Sequence, residues 1–192
     1  MIHNSNTDFF TKRRSIRSFQ QKKVPSTLLQ ECVNVARLSP SAKNQQLLDY
    51  IIVTDANIRN SLFSHLHWAG SLPSWNPSHD EQPMAYIVIV LKKTNDELYR
   101  YDVGIALAHI VLYAEAHTLG SCILKNIDYE EIKQLLNLPE SYVVDAVVAL
   151  GYKKGESVVE TSDEERKYWM DDQGVLHVPK RSLFSLLHEQ TY

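Results

Sequence analysis

Residues 101–124, YDVGIALAHIVLYAEAHTLGSCIL, carry most of the longest helical pattern of the chain and the strand that follows it. Apolar residues recur every three or four positions here, which predicts a helix over residues 94–119. Its half from Ile105 to Ala116 is apolar almost all round, so we expect a helix buried on every side, and a subunit interface is a natural place for it. Gly120 is expected to end this helix, and residues 121–124 indicate a short strand.

Helical and strand patterns alternate outward from this stretch. A second helix is expected to open at Pro25 and Ser26, with Thr27 and Gln30 as a capping box, and another to start at Asp128. Unbroken apolar runs indicate strands that are covered on both faces, and they occupy residues 50–53, 85–91 and 143–152. This interleaving predicts a layered α+β or α/β domain.

Two stretches lack a regular period. Residues 69–83 contain three prolines, one glycine and one tryptophan, and long connections of this kind are often lids, so a lid loop is expected here. Residues 153–179 are polar and charged around Tyr168 and Trp169, and they are expected to be irregular.

Size and charge exclude several classes of protein. The chain has 192 residues, 44% hydrophobic and 22% charged, as expected for a single globular domain over residues 1–192. Its net charge of −3 argues against a general nucleic-acid binder, which needs a basic surplus. No signal peptide is visible, and no apolar stretch approaches the ~20 residues that span a membrane. We therefore expect a cytoplasmic protein without nucleic-acid or membrane partners.

Glycine and cysteine are both scarce. The six glycines include no pair spaced as in the dinucleotide-binding fingerprint and no P-loop, so any phosphate must be bound in another way. The two cysteines, Cys32 and Cys122, are too few for a metal cluster or a disulfide framework, and reduced, inert thiols are expected.

The first cluster of candidate binding residues is KRRSIR at residues 12–17. It lies where a helix gives way to an extended segment, in which Ser15 and Arg17 share a face. Arginine suits phosphate and planar acceptors because its donors form a rigid fork, so this cluster can hold an extended anionic ligand. A solvated basic patch is the alternative.

Two further clusters are less specific. SPSAKNQQ at residues 39–46 follows a helix and is dense in small hydrogen-bonding side chains, although it could be only a helix stop and turn. Lys180 and Arg181 lie at the start of a C-terminal apolar run that is expected to be helical. Cations oppose the dipole of a helix N-terminus unless an anion also binds there, and the alternative is a surface charge pair.

Taken in order, these segments resemble the FMN-dependent nitroreductase family. The motifs are RRSIRSF, ARLSPSAKNQQ, YDVGIALAHIVLYAEAHTLGSCILKNIDYEEI, VVALGY and GVLHVPKRSL, and the resemblance covers residues 8–187. It implies an α+β fold of three layers, α/β/α, with a central, mainly antiparallel sheet. It also implies an intertwined homodimer with FMN at the subunit interface.

The resemblance also assigns roles to the basic residues. Arg13 would hold the FMN phosphate together with Lys180 and Arg181. Arg14 and Ser15 would reach the phosphate and the ribityl chain. Arg17 would lie near the N1/O2 edge of the isoalloxazine, where a cation stabilises the reduced flavin.

Other segments are implied to line the flavin ring. The other subunit would contribute the second motif, namely Pro40, Ser41, Ala42 and Asn44. The segment of residues 122–125, which includes Leu124 and Lys125, would face the ring from the opposite side, with a backbone N–H near N5. Lys125 stands where the family often has a glycine-containing turn, and it would either alter the pocket or point to solvent.

The implied activity is a ping-pong reaction. NADH or NADPH would deliver hydride to FMN, and a nitroaromatic, quinone or related small acceptor would then take the electrons, so no catalytic side chain is needed. Two alternatives stay open: a flavin-remodelling or dehalogenating member of the same fold, and a non-catalytic FMN-binding dimer.

Some aromatic and histidine residues have no assigned role. His65 and His67 form an H-x-H pair near His79 and Asp80, for which a surface or pocket-rim position is expected instead of a metal site. Trp68, Trp75 and Tyr101 are candidates for an aromatic cap over the flavin, and ordinary packing is the alternative.

Overall fold

The computed structural model describes residues 8–72 and 75–192. Five α-helices lie within these ranges: α1 (Asp8–Lys12), α2 (Ser26–Arg37), α3 (Ala56–Ser64), α4 (Tyr99–Ala116) and α5 (Tyr129–Leu135). The strands are β1 (Leu48–Val53), β2 (Ala85–Lys92), β3 (Leu119–Leu124), β4 (Tyr142–Tyr152), β5 (Ser157–Thr161), β6 (Trp169–Met170) and β7 (Leu176–Lys180).

The central sheet has four strands in the order β1-β2-β4-β3, and every neighbouring pair is antiparallel. Residues of β2 alternate between two hydrophobic clusters, as the two-residue period of a strand requires. Ile87 and Ile89 pack towards α2 and α4, whereas Tyr86 and Val88 face the cluster that includes residues of α3 and α5. The predicted α+β fold of three layers around a mainly antiparallel sheet is therefore confirmed.

A second, three-stranded sheet occupies the region that was predicted to be irregular. Its order is β5-β7-β6, with β5 parallel and β6 antiparallel to β7. The prediction for residues 153–179 was wrong because these strands are short and depend on distant pairing, such as Ser157 with Leu176. The predicted C-terminal helix start is wrong too, since Pro179 and Lys180 belong to β7.

The end of α4 differs from the prediction. His117 is the C-terminal cap and Thr118 takes the left-handed conformation at φ 64°, so Gly120 does not end the helix. Gly120 lies in β3, where a Cβ atom would be 2.9 Å from Cβ of Ile16. The glycine is therefore needed for close packing, not for a turn.

The prediction placed α4 where it is buried on every side, with a subunit interface as its natural setting, and the single chain buries this helix on one face. One face, which includes Val103, Ala106 and Ile110, is buried against the sheet and α2. The opposite face is open, and Tyr101 on it is 71% exposed. An all-round apolar pattern cannot distinguish burial within the chain from burial against another molecule.

The starts of α2 and α5 lie where they were predicted, but the side-chain contacts at those starts differ from the prediction. Pro25 precedes α2, but no side chain caps that helix, so the Thr27–Gln30 capping box was wrong. Asp128 precedes α5, yet its carboxylate contacts two histidines instead of the helix. Among the described helices, none is both long and apolar enough to cross a membrane.

Candidate functional site

The first motif is fixed to the end strand of the central sheet. Ser15 forms a parallel bridge with Ser121 of β3, and the backbone N–H of Ile16 donates to the Ser121 carbonyl at 2.9 Å. Phe19 forms an antiparallel bridge with Lys153 just beyond β4. The segment after α1 therefore lies across β3 and β4, and this positions the arginines of the motif.

Those arginines keep most of their donors free. Arg14 Nη1 donates to the Arg13 carbonyl at 2.6 Å, and burial, followed by the neighbouring charge of Arg13, lowers the pKa of Arg14. The Nε atoms of Arg14 and Arg17 are buried without a hydrogen-bond partner. In the described part of the chain, no ion pair neutralises Arg13, Arg14 or Arg17. Unpaired guanidinium groups of this kind suit an anionic ligand.

Arg17 has an aromatic neighbour that the sequence did not indicate. Its guanidinium carbon lies 4.9 Å from the centroid of the Tyr168 ring, a cation–π distance. The Tyr168 hydroxyl accepts a hydrogen bond from the Ser71 backbone N–H at 3.1 Å. The contacts of Tyr168 could not be found from the sequence, because this residue is 97 positions from Ser71 and belongs to no motif.

The second motif is organised by a buried carboxylate. Oδ1 of Asp102, a residue that is 4% exposed, accepts the backbone N–H of Ala42 at 2.9 Å. Lys43, Asn44 and Gln46 all have positive φ angles of 50–55°, an uncommon conformation for residues with side chains. Such backbone strain clusters at functional sites. The segment is thus held in an uncommon backbone conformation and is tied to α4 through Asp102.

This loop borders a cavity of about 130 Å³. Pro40 and Ser41 line it together with Asp102 and Tyr50. No residue of the first motif lines the cavity, and in the described ranges no hydrogen bond joins the two motifs. A single chain therefore presents the two predicted binding segments separately.

The third motif ends β7. Lys180 is exposed, pairs with Thr161 in the sheet register, and has no carboxylate partner among the described residues. Arg181 instead hydrogen-bonds within its own turn, through Nε to Ser185 Oγ at 3.2 Å and through Nη2 to the Ser185 carbonyl. Lys180 is therefore the freer of the two predicted cations.

At the end of β3, Leu124 is buried and Lys125 is held by an ion pair. Lys125 Nζ donates to Asp145 Oδ1 at 2.8 Å, and its side chain is 54% exposed. Burial raises the pKa of the nearby Cys122 thiol, opposed by the charges of Arg17 and Arg13. The first motif and β3 are thus within electrostatic reach of each other. The burial of Cys122 and its raised pKa are typical of a structural thiol.

The unassigned aromatic and histidine residues have structural contacts. Trp68 is buried beside Phe63. Trp68 and Trp75 both pack in the hydrophobic cluster that includes residues of α3 and α5. His67 and His65 share Asp128, at 2.8 Å and 3.4 Å, and the His67 hydrogen bond lowers the pKa of Asp128. Within residues 8–72 and 75–192, no group of three or more His, Cys, Asp or Glu side chains could hold a metal ion.

The sequence model described as the nitroreductase family matches residues 10–82 and 75–152. The chain belongs to the nitroreductase family. It is 29% identical over 160 residues to a candidate NADH dehydrogenase/NAD(P)H nitroreductase of Archaeoglobus fulgidus, covering 79% of this chain and 87% of that protein. It is 24% identical to an iodotyrosine deiodinase of Thermotoga neapolitana, covering 76% and 87%.

A solved family structure has the same fold. An FMN-dependent nitroreductase from Clostridium difficile R20291 superposes with a TM-score of 0.69 at 25% identity. The match covers 96% of this chain and 98% of that one. Family membership therefore rests on sequence and on architecture together.

Proposed function

We propose that this protein is an FMN-dependent NAD(P)H oxidoreductase that reduces nitroaromatic, quinone or related small acceptors. Membership of the nitroreductase family makes it an oxidoreductase. Support for FMN and NAD(P)H comes from the relatives whose names include them. The observation that carries the proposal is the set of unneutralised arginines that the first motif fixes beside β3.

The chemistry of these residues fits FMN. A phosphate dianion needs several cationic donors, and in the described ranges no carboxylate forms an ion pair with Arg13, Arg14 or Lys180. The buried Nε atoms of Arg14 and Arg17 also lack partners, and buried donors of this kind are rare unless a ligand satisfies them. We therefore assign phosphate binding to Arg13, Arg14, Lys180 and Arg181.

Other residues of the chain would bind the rest of the cofactor. Ser15 would hydrogen-bond the ribityl chain, and Arg17 would place a positive charge beside the pyrimidine edge of the ring. Leu124 and Lys125 would contribute their backbone at the end of β3. The second motif would line the ring from a partner subunit, through Pro40, Ser41, Ala42 and Asn44.

Bound FMN would supply the redox chemistry, accepting hydride from NADH or NADPH and returning electrons to the acceptor. The residues of this chain would bind, orient and stabilise charge. Arg17 would favour the reduced state of the cofactor, because its cation would lie beside the edge of the ring where negative charge develops. No side chain is assigned a nucleophilic or proton-transfer role.

A homodimer is part of the proposal. The open face of α4 combines small and apolar residues, including Gly104, Ala108 and the exposed Tyr101. Apolar side chains are also exposed near the C terminus, where Phe184 is 93% exposed. An apolar helix face that its own chain leaves open is typical of a protein–protein interface. The two motifs do not meet within one chain, so a second copy would place its second motif beside the first motif of its partner.

The relative named as a deiodinase supports one alternative: a dehalogenating enzyme on the same fold. Comparing an iodophenol with a nitroarene as acceptor for the reduced protein separates the two activities.

The test is spectroscopic. Purified protein supplied with FMN should be yellow, and NADH or NADPH should bleach the flavin absorbance under anaerobic conditions. Adding a nitroarene or a quinone should restore the colour, with parallel double-reciprocal plots. Protein that takes up no FMN refutes the proposal, and FMN-loaded protein that neither nicotinamide reduces favours the non-catalytic alternative.

A further inference from the structure

We propose that Tyr168 is a positioning residue for Arg17, fixing its guanidinium at the flavin site and linking it to the chain at Ser71. This inference rests on the proposed function, because it assigns the consequence to bound FMN. Tyr168 belongs to none of the sequence motifs from which the site was inferred.

The contacts of Tyr168 involve two parts of one side chain. Its ring faces the Arg17 guanidinium at 4.9 Å, while its hydroxyl accepts the Ser71 N–H at 3.1 Å. The cation–π contact and the hydrogen bond both depend on orientation, so a shift of the Tyr168 ring would weaken at least one of them. Tyr168 therefore joins the first motif to the connection that follows α3.

The second sheet determines where Tyr168 lies. It immediately precedes β6, and successive side chains of an extended segment point to opposite faces. Trp169 stacks on His177 at 4.1 Å between ring centroids, on one face. On the other face, Met170 lines a crevice with Arg17 and Trp75. Tyr168 packs against the hydrophobic cluster that includes residues of α3 and α5.

An aromatic partner has a different electrostatic effect from a carboxylate. A carboxylate would hold Arg17 equally well but would cancel its charge, whereas a ring quadrupole orients the cation and leaves its net charge in place. Arg17 has no carboxylate partner in the described part of the chain, and its Nε atom is unsatisfied. The charge thus remains available to an electron-rich ligand.

Two substitutions separate the two contacts. Y168F keeps the ring but removes the acceptor of Ser71, so exchange of the Ser71 amide with solvent should accelerate while the flavin potential stays close to that of the wild type. Y168L removes the ring as well, so Arg17 is no longer oriented. We expect a lower flavin reduction potential and FMN binding weakened about 2- to 30-fold.

Tyr152 provides a matched control. Its ring lies 4.1 Å from Lys22 Nζ, a second cation–π pair outside the proposed site. Y152L should leave the flavin potential unchanged even if it lowers the melting temperature. If Y168L fails to fold, Y168M fills a similar volume without an aromatic ring and should give the same shift in potential.

The measurements are the midpoint potential of bound FMN, its dissociation constant, and hydrogen exchange at Ser71 in FMN-free protein. An unchanged potential in Y168L or Y168M, in protein that binds FMN, overturns the positioning role and leaves the proposed function intact. Unchanged Ser71 exchange in Y168F overturns the link to Ser71. If the wild type takes up no FMN, the proposed function fails, and the role of Tyr168 towards FMN fails with it.

Discussion

Gly120 and Gly151 lie directly opposite each other in the register of β3 and β4. The chain of the first motif crosses the sheet at this pair. A Cβ atom on Gly120 would lie 2.9 Å from Ile16, and one on Gly151 would lie 2.8 Å from Phe19. The two glycines therefore allow the arginine-bearing segment to pack closely on the sheet.

Substituting either glycine should disturb fold and site together. We expect Gly120→Ala and Gly151→Ala each to lower the free energy of unfolding by about 1–3 kcal/mol, as overpacking does, and to weaken FMN binding. Gly70→Ala is the control, since nothing lies within 4 Å of its Cβ position. Denaturant unfolding and FMN titration measure both effects, and wild-type values in both variants would contradict the role of the glycine pair.

The cationic residues should dominate FMN affinity. Arg13→Ala and Lys180→Ala should each weaken FMN binding by about 1.5–3 kcal/mol, the value of a charge-assisted hydrogen bond. Arg181→Ala should cost less, because Arg181 already bonds to Ser185. Lys92→Ala, at an exposed residue that ends β2, is the control. Fluorescence titration of FMN measures the affinities, and equal binding by Arg13→Ala, Lys180→Ala and the wild type would refute the phosphate assignment.

The carboxylate of Asp102 should be needed for the second motif. Asp102→Ala leaves the Ala42 N–H without its acceptor, so we expect a loss of about 1–3 kcal/mol in stability and weaker FMN binding. Asp102→Asn keeps an oxygen that can accept the same bond and should retain most of both. Identical stability and FMN affinity in the alanine variant and the wild type would show that the loop does not depend on this bond.

A charge on the open face of α4 should prevent dimer formation. Ala108→Arg places a cation on that face, and burying it without a partner in an apolar interface is costly. Gln134→Arg, on the exposed surface of α5, is the control. Sedimentation velocity should show monomers for the first variant and dimers for the control. A dimeric Ala108→Arg protein would locate the interface elsewhere.

The second sheet should weaken as pH rises. His177 lies between Asp171 and Glu160, at 3.2 Å and 2.6 Å, and these hydrogen bonds raise its pKa. Since the folded-state pKa is the higher one, the stabilisation is complete below the unfolded-state value of about 6.5 and is lost as pH passes the folded-state value. Amide exchange in β5–β7 should therefore accelerate at high pH.

His177→Gln should remove this pH dependence, because glutamine does not titrate. His79→Gln, at an exposed histidine outside the second sheet, should preserve it. Exchange rates corrected for the intrinsic effect of pH provide the measurement. If the protection of amides against exchange in the wild-type second sheet is constant between pH 6 and pH 9, protonated His177 does not stabilise that sheet.

The sequence alone determined the main elements of the fold and the family. The central strands and α4 have strong local patterns, and local patterns are visible within a few residues of chain. The first motif was also visible as a run of basic residues, although its attachment to Ser121 was not.

Only the tertiary structure decided which residues support those motifs. Ala42 and Asp102 are 60 residues apart, and Ser71 and Tyr168 are 97 apart, so neither contact leaves a periodic signal in the chain. The pairing of the second sheet is also nonlocal. Gly120 was expected to cap a helix because it follows one in sequence, but in the structure it allows close packing. The physical reason is common to all: local preferences fix single elements, whereas contacts between distant residues exist only after the chain has folded.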